Sequence, residues 1–120
     1  MKNENIIKIK SFSFAVRIVK LYKFLSEKKK EFIISKQLLR SGTSIGANVR
    51  EAINAESKAD FVHKMGIAQK EADETLYWLE LLADTRYISS KEFESISKDA
   101  VEIIKLTKRI SISAKKTIKH

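Results

Sequence analysis

Between Lys58 and Ala83, apolar and small residues return at alternating intervals of four and three: Phe61, Met65, Ala68, Ala72, Thr75, Leu79 and Leu82. That rhythm keeps one side of an α-helix apolar and leaves a seam that another helix must cover. Three other segments carry a comparable pattern. Phe14, Ile18, Leu21 and Leu25, with Tyr22 beside them, predict a first helix over about 11–28. Ile34, Leu38, Ser41, Ile45, Asn48 and Ala52 predict a second over about 32–55. The long seam itself predicts a third over about 58–84, and Phe93, Ile96, Ala100, Ile103, Leu106 and Ile110 predict a fourth over about 90–118.

The joints are short and polar. The charged run Glu27-Lys-Lys-Lys-Glu31 reads as the first connection, a solvated helix end or loop. Ser57-Lys-Ala-Asp60 is a weak capping box, and Ser89-Ser-Lys-Glu92 is a better one opening the fourth helix. The stretch Ser41-Gly-Thr-Ser-Ile-Gly46 could mark a break, since a helical Gly costs about 1 kcal/mol. The apolar phase continues unshifted through it, so a helix is predicted there, with small residues admitting a close neighbour. Short joints favour antiparallel neighbours, which gives a single all-α domain, an up-down-up-down four-helix bundle. In that order the first and last helices lie side by side.

Composition narrows the chemistry. The chain has 120 residues, enough for one core, with no Pro and only three Gly to break helices. It has no Cys, which excludes disulfides, Cys-ligated zinc and a thiol nucleophile. No apolar run approaches the roughly 18 residues of a membrane span. Lys8, Lys10 and Arg17 interrupt the N-terminal apolar stretch, so a signal peptide is not expected and a cytoplasmic location is.

The residues of the first three predicted helices resemble a known family. The resemblance rests on Phe14-Ala-Val-Arg-Ile-Val19 with Leu21-Tyr22. It continues in Gln37-Leu-Leu-Arg-Ser-Gly-Thr-Ser-Ile-Gly-Ala-Asn48 with Glu51-Ala52, and in Asp60-Phe61, Ile67-Ala68, Lys70-Glu-Ala72, Glu74-Thr75 and Tyr77-Trp-Leu79. In combination these are similar to the small four-helix-bundle proteins labelled ribosomal-RNA intervening-sequence proteins. The match covers roughly residues 11–83, and the fourth helix shares only its amphipathic character. The resemblance implies a protomer that assembles into a homo-oligomeric ring, typically a pentamer, with no known enzymatic activity. Some members are encoded within intervening sequences of large-subunit ribosomal RNA. Others resemble the accessory variability determinant of diversity-generating retroelements, which binds nucleic acid and a reverse transcriptase.

Charge supplies the main functional lead. The net charge is +9, and its excess lies in the first and last quarters of the chain. At about 100° per residue, Lys105, Lys108, Arg109, Lys115, Lys116 and Lys119 fall within an arc of roughly 120° on the fourth helix. The first helix adds Lys10, Arg17, Lys20 and Lys28 outside its core face. Such a stripe can neutralise phosphates and release counterions without reading sequence. No aromatic residue interleaves it, so base stacking is not expected there. The competing readings are a solvated polar face or an anionic membrane surface. The membrane reading is the weaker, because the apolar face of this helix is needed for the core.

Other polar positions read as structural. Arg17, Arg40 and Arg50 could pair with Glu51, Glu71 and Glu74, and Asn48 lies along the edge of the second seam. Paired carboxylates can serve acid–base chemistry, but partly buried polar groups more commonly fix helix register or subunit orientation. Trp78, with Ile67 and Leu81, widens the third seam or anchors a subunit interface. No Glu-x-x-His pair, P-loop lysine or closely spaced Arg–His pair is present; His63 and His120 read as surface residues. The expected function is therefore a non-catalytic, basic oligomer that associates with RNA or DNA. Its contacts would be Lys20, Lys105, Lys108, Arg109, Lys115, Lys116 and Lys119, with no cofactor, metal or membrane. The alternative is a scaffold that docks a nucleic-acid enzyme such as a reverse transcriptase, or a ribosomal component. A second alternative is an enzyme without a visible motif.

Overall fold

The structure, a computed structural model, describes residues 2–118, with side chains through residue 116. Its elements are α1 (Lys2–Glu27), α2 (Ile34–Ile53), α3 (Lys58–Asp84) and α4 (Ser90–Ile118). The largest departure from the sequence reading is at the N-terminus, where α1 starts nine residues before the predicted boundary. Ile7 and Ser11 are buried in phase with Phe14, Ile18 and Leu25, while Lys2 and Lys8 face outward. The lysines that interrupt the linear pattern therefore lie off its core face. At the other joint, α2 starts at Ile34, and Phe32 and Ile33 project from the turn.

The capping residues explain where the helices begin. Ser57 Oγ accepts from the Asp60 amide at 3.1 Å. Ser89 forms the reciprocal box: its Oγ accepts from Glu92 N at 3.1 Å, and Glu92 Oε1 accepts from Ser89 N at 3.1 Å. The start of α2 uses a device absent from the sequence reading. Glu31, at the end of the charged run, is 8% exposed, and its carboxylate accepts from the amides of Ile33, Ile34 and Ser35 at 3.2, 3.0 and 2.7 Å. Burial pushes its carboxyl up, but the three amides and the Ser35 hydroxyl outweigh burial and hold it below the usual carboxylate value. Glu31 is thus a buried cap, not a solvated loop charge.

Among the described residues each helix touches two neighbours, in the cycle α1–α2–α3–α4–α1, and neither diagonal pair meets. The molecule is 21 × 19 Å across, two helix diameters of roughly 10 Å in each direction, so the helices form a square. Cross-helix pairs run in opposite senses: Arg40 meets Glu71 and Glu74 while the later Glu51 meets the earlier Lys64. Lys10 likewise meets Glu102 while the later Arg17 meets the earlier Asp99. Adjacent helices are therefore antiparallel. The core holds Phe14, Ile18, Leu25, Leu38, Ile45, Met65, Leu79 and Ile103, all at most 1% exposed, and Phe61 packs at its edge. A buried hydroxyl pair, Ser41 Oγ to Thr75 Oγ1 at 2.9 Å, ties α2 to α3.

The stretch 41–46 is helical throughout. A Cβ placed on Gly42 would stand 2.7 Å from Ile18 Cγ2, so this glycine sets the separation of α1 and α2. Gly46 has only ordinary contacts around it, the nearest being Ser11 O at 3.5 Å. Close helix approach thus accounts for one of the two glycines in the stretch.

Candidate nucleic-acid interface

The amphipathic pattern of α4 places its cations where solvent reaches them. Ile96, Ala100, Ile103, Leu106 and Ile110 occupy the core side, which turns Lys105, Lys108, Arg109, Lys115 and Lys116 outward. All five are exposed, and among the described residues none has an ion-pair partner. Lys98 extends the row by two turns, and Ile112, 52% exposed, sits among the cations. Lys119 lies outside the described residues. The ridge spans residues 98–116, about 27 Å at 1.5 Å per residue. That length matches several successive phosphates along a nucleic-acid strand.

The contribution of α1 is smaller than its composition suggests. Lys10 Nζ bonds Glu102 Oε1 at 2.7 Å. Arg17 Nη1 bonds Asp99 Oδ2 at 2.6 Å, and Arg17 Nη2 bonds Ser95 Oγ at 3.0 Å. These two cations are turned onto α4 and largely neutralised there. Asp99 and Glu102 are three residues apart and so share a helix face, a signal present in the sequence. Lys20 remains exposed, in a groove between α1 and α4 that Lys91 also borders.

The polar positions of α2 and α3 find partners within the chain. Arg40 bridges Glu71, at 3.2 Å, and Glu74. Trp78 Nε1 donates to Glu74 Oε2 at 2.9 Å, and this bond, with the hydrogen bond and charge of Arg40, draws the Glu74 carboxyl below its usual value against the opposing pull of burial. Glu74 in turn raises Arg40, which burial opposes more weakly. Asn48 Nδ2 donates to Ser44 O at 2.9 Å, within α2, and Glu51 pairs with Lys64 at 2.9 Å. Arg50 reaches no carboxylate among the described contacts; its guanidinium sits 5.6 Å from the ring centroid of Phe12. Trp78 is half-buried and packs against the core of its own chain.

The described residues hold no group of three or more His, Asp or Glu placed to bind a metal ion. Nor is any helix among the described residues long and apolar enough to cross a membrane. A family model, 23S rRNA-intervening sequence protein, matches residues 3–109. The chain belongs to that family. The match takes in residues 3–10 of α1, which lie outside the resemblance, and it reaches well into α4, to Arg109. Lys115 and Lys116, at the outer end of the ridge, lie beyond it.

Among solved structures, the chain is similar to a crystal structure of a protein with unknown function from the S23 ribosomal protein family of Bacteroides thetaiotaomicron VPI-5482. The two share 60% identity with a TM-score of 0.90 over 91% of this chain and 97% of that one. No curated protein matches the chain. This member of the intervening-sequence family thus shares its fold with that structure over 91% of its length.

Proposed function

We propose that the protein is a non-catalytic, homo-oligomeric bundle that associates with RNA or DNA through its basic surface. The observation that carries this reading is the row of exposed cations on α4, from Lys105 to Lys116, which have no ion-pair partner among the described residues. Such a row releases counterions from a phosphate backbone and binds without sequence preference. Self-association would multiply these contacts, since linked sites gain avidity from effective concentration. Support for self-association comes from α1, where Ile9, Phe12 and Val16 form an outward apolar stripe, 66%, 57% and 39% exposed. Exposed apolar stripes of this kind mark association surfaces. A closed ring such as a pentamer would cover the stripe in every copy.

Charge reversal tests the reading. Lys108→Glu, Arg109→Glu, Lys115→Glu and Lys116→Glu in one variant should abolish binding to a labelled duplex in a gel-shift assay. Reversing Lys58 and Lys70, exposed on α3, should leave binding within about threefold. Equal losses in the two variants would point to net charge alone and discard the α4 ridge.

A further inference from the structure

The ridge on α4 carries no aromatic side chain, but one end of the bundle does. α1 and α3 finish where α2 and α4 begin, so the turns at 28–33 and 85–89 share that end. Each turn holds one non-glycine residue in the left-handed region, Lys30 at φ 55° and Arg86 at φ 67°. Glycine fits such a position without steric penalty, and both positions instead carry a cation. Between the turns lies a cleft of about 620 Å³ bordered by Phe24, Lys29, Arg86 and Tyr87. Lys29 Nζ stands 5.7 Å from the centre of the Phe24 ring. Phe24 is 37% exposed, and on the same turn as Lys29 the Phe32 ring is 52% exposed. Lys28 and Lys30 are also exposed.

We infer that this end of the bundle binds a short single-stranded stretch of nucleic acid, its phosphates on Lys28, Lys29, Lys30 and Arg86 and its bases stacked on Phe24 and Phe32. The inference rests on the nucleic-acid reading above and adds a second, differently built site. Cations beside solvent-accessible aromatic rings are the two parts of a single-strand platform: the charges track the backbone and the rings take bases of any kind. A duplex cannot use the rings, because its bases are already stacked on one another. Asp84 also borders the cleft and repels a phosphate lodged deep within it, so the phosphates belong on the outer rim. Glu92 borders it too, with its carboxylate bonded to Ser89 N and Oγ at 3.1 and 3.0 Å. The turn is held firm for this purpose by the buried Glu31 cap and by Glu31 N donating to Leu25 O at 2.9 Å.

The test is fluorescence anisotropy on the full chain with four probes: oligo(U) and oligo(dT) of eight nucleotides, a 12-base-pair duplex, and phosphatidylserine vesicles. The variant Phe24→Ala/Phe32→Ala should weaken both single strands about tenfold or more. Duplex binding should stay within twofold, and the salt slope should not change. Phe24→Tyr/Phe32→Tyr should restore single-strand affinity, and equal thermal unfolding of all variants excludes a folding effect. Unequal losses for oligo(U) and oligo(dT) would support the site and assign it to RNA or to DNA. Unchanged single-strand affinity would overturn it, as would equal losses on strand and duplex, or a loss confined to the vesicles. The α4 charge-reversal variant separates the two proposals. If it abolishes all binding and the aromatic variant is inert, the ridge stands and this site falls. If it is inert and the aromatic variant loses only single strands, this site stands and the ridge falls.

Discussion

Gly42 and Gly66 are both interior helix residues, and they should respond to alanine in opposite directions. A Cβ on Gly42 would stand 2.7 and 2.8 Å from two carbons of the buried, β-branched Ile18, which cannot move aside cheaply. Gly42→Ala should lower stability by about 1–3 kcal/mol despite its better helix propensity. Gly66 has nothing within 4 Å, so Gly66→Ala should raise stability by up to about 1 kcal/mol. Urea midpoints decide both, and equal shifts of one sign would contradict the packing described. The continuity of α2 through these small residues was legible, because the apolar phase never resets across them. Which glycine was spatially required was not, since that depends on where Ile18 stands.

Glu31 was illegible for a related reason. Its partners are backbone amides, whose positions follow from the turn and not from any side-chain pattern. Because its folded-state carboxyl lies below the unfolded value, the unfolded chain binds more protons and stability rises with pH. The contribution is complete above the ordinary Glu range of about 4.3 and is lost as pH falls through the depressed folded value. Glu31→Gln should cost about 1 kcal/mol at neutral pH, by analogy with lost helix caps, and the difference from wild type should disappear as pH falls through the depressed folded value. A difference that persists unchanged to acid pH would show that the ionised cap is not the source.

At the scale of elements, the extents of α3 and α4 were legible from their seams and capping boxes, and the start of α1 was not. Lys8 and Lys10 look like breaks in a linear reading, yet Ile7 continues the core side one turn earlier. The pairing of α1 with α4 follows from topology, but its chemistry emerged only when Arg17 met Asp99 and Lys10 met Glu102. These pairs are 41–56% exposed, and pairs of that kind contribute about 1 kcal/mol or less. Their greater effect is to occupy two cations that would otherwise join the basic surface. Asp99→Asn with Glu102→Gln should therefore leave the unfolding midpoint nearly unchanged while strengthening nucleic-acid binding. The log–log salt slope should steepen by up to about 2, one phosphate for each freed cation. Unchanged affinity would show that α1 and α4 do not face the ligand together.

For the whole molecule, the square bundle leaves the apolar stripe of α1 and the cationic ridge of α4 facing solvent among the described residues. The ridge was legible because a 100° step sorts lysines as readily as leucines. The α1 stripe was not singled out, because Ile9, Phe12 and Val16 blend into a chain in which 43% of residues are hydrophobic. If the stripe is an assembly surface, light scattering should give a multiple of the 13.8 kDa chain mass. Phe12→Glu with Val16→Glu should then reduce it to the single-chain value with secondary structure intact. A wild-type monomer at micromolar concentration would remove the assembly proposal and leave the ridge to act alone.

The most direct test of the central claim is the salt dependence of duplex binding by the unaltered protein. The α4 ridge carries six exposed cations with no ion-pair partner among the described residues, so log affinity should fall linearly with log salt, at a slope of up to about −5.4. An affinity indifferent to salt between about 50 and 200 mM, or no measurable binding at the lower concentration, would contradict it.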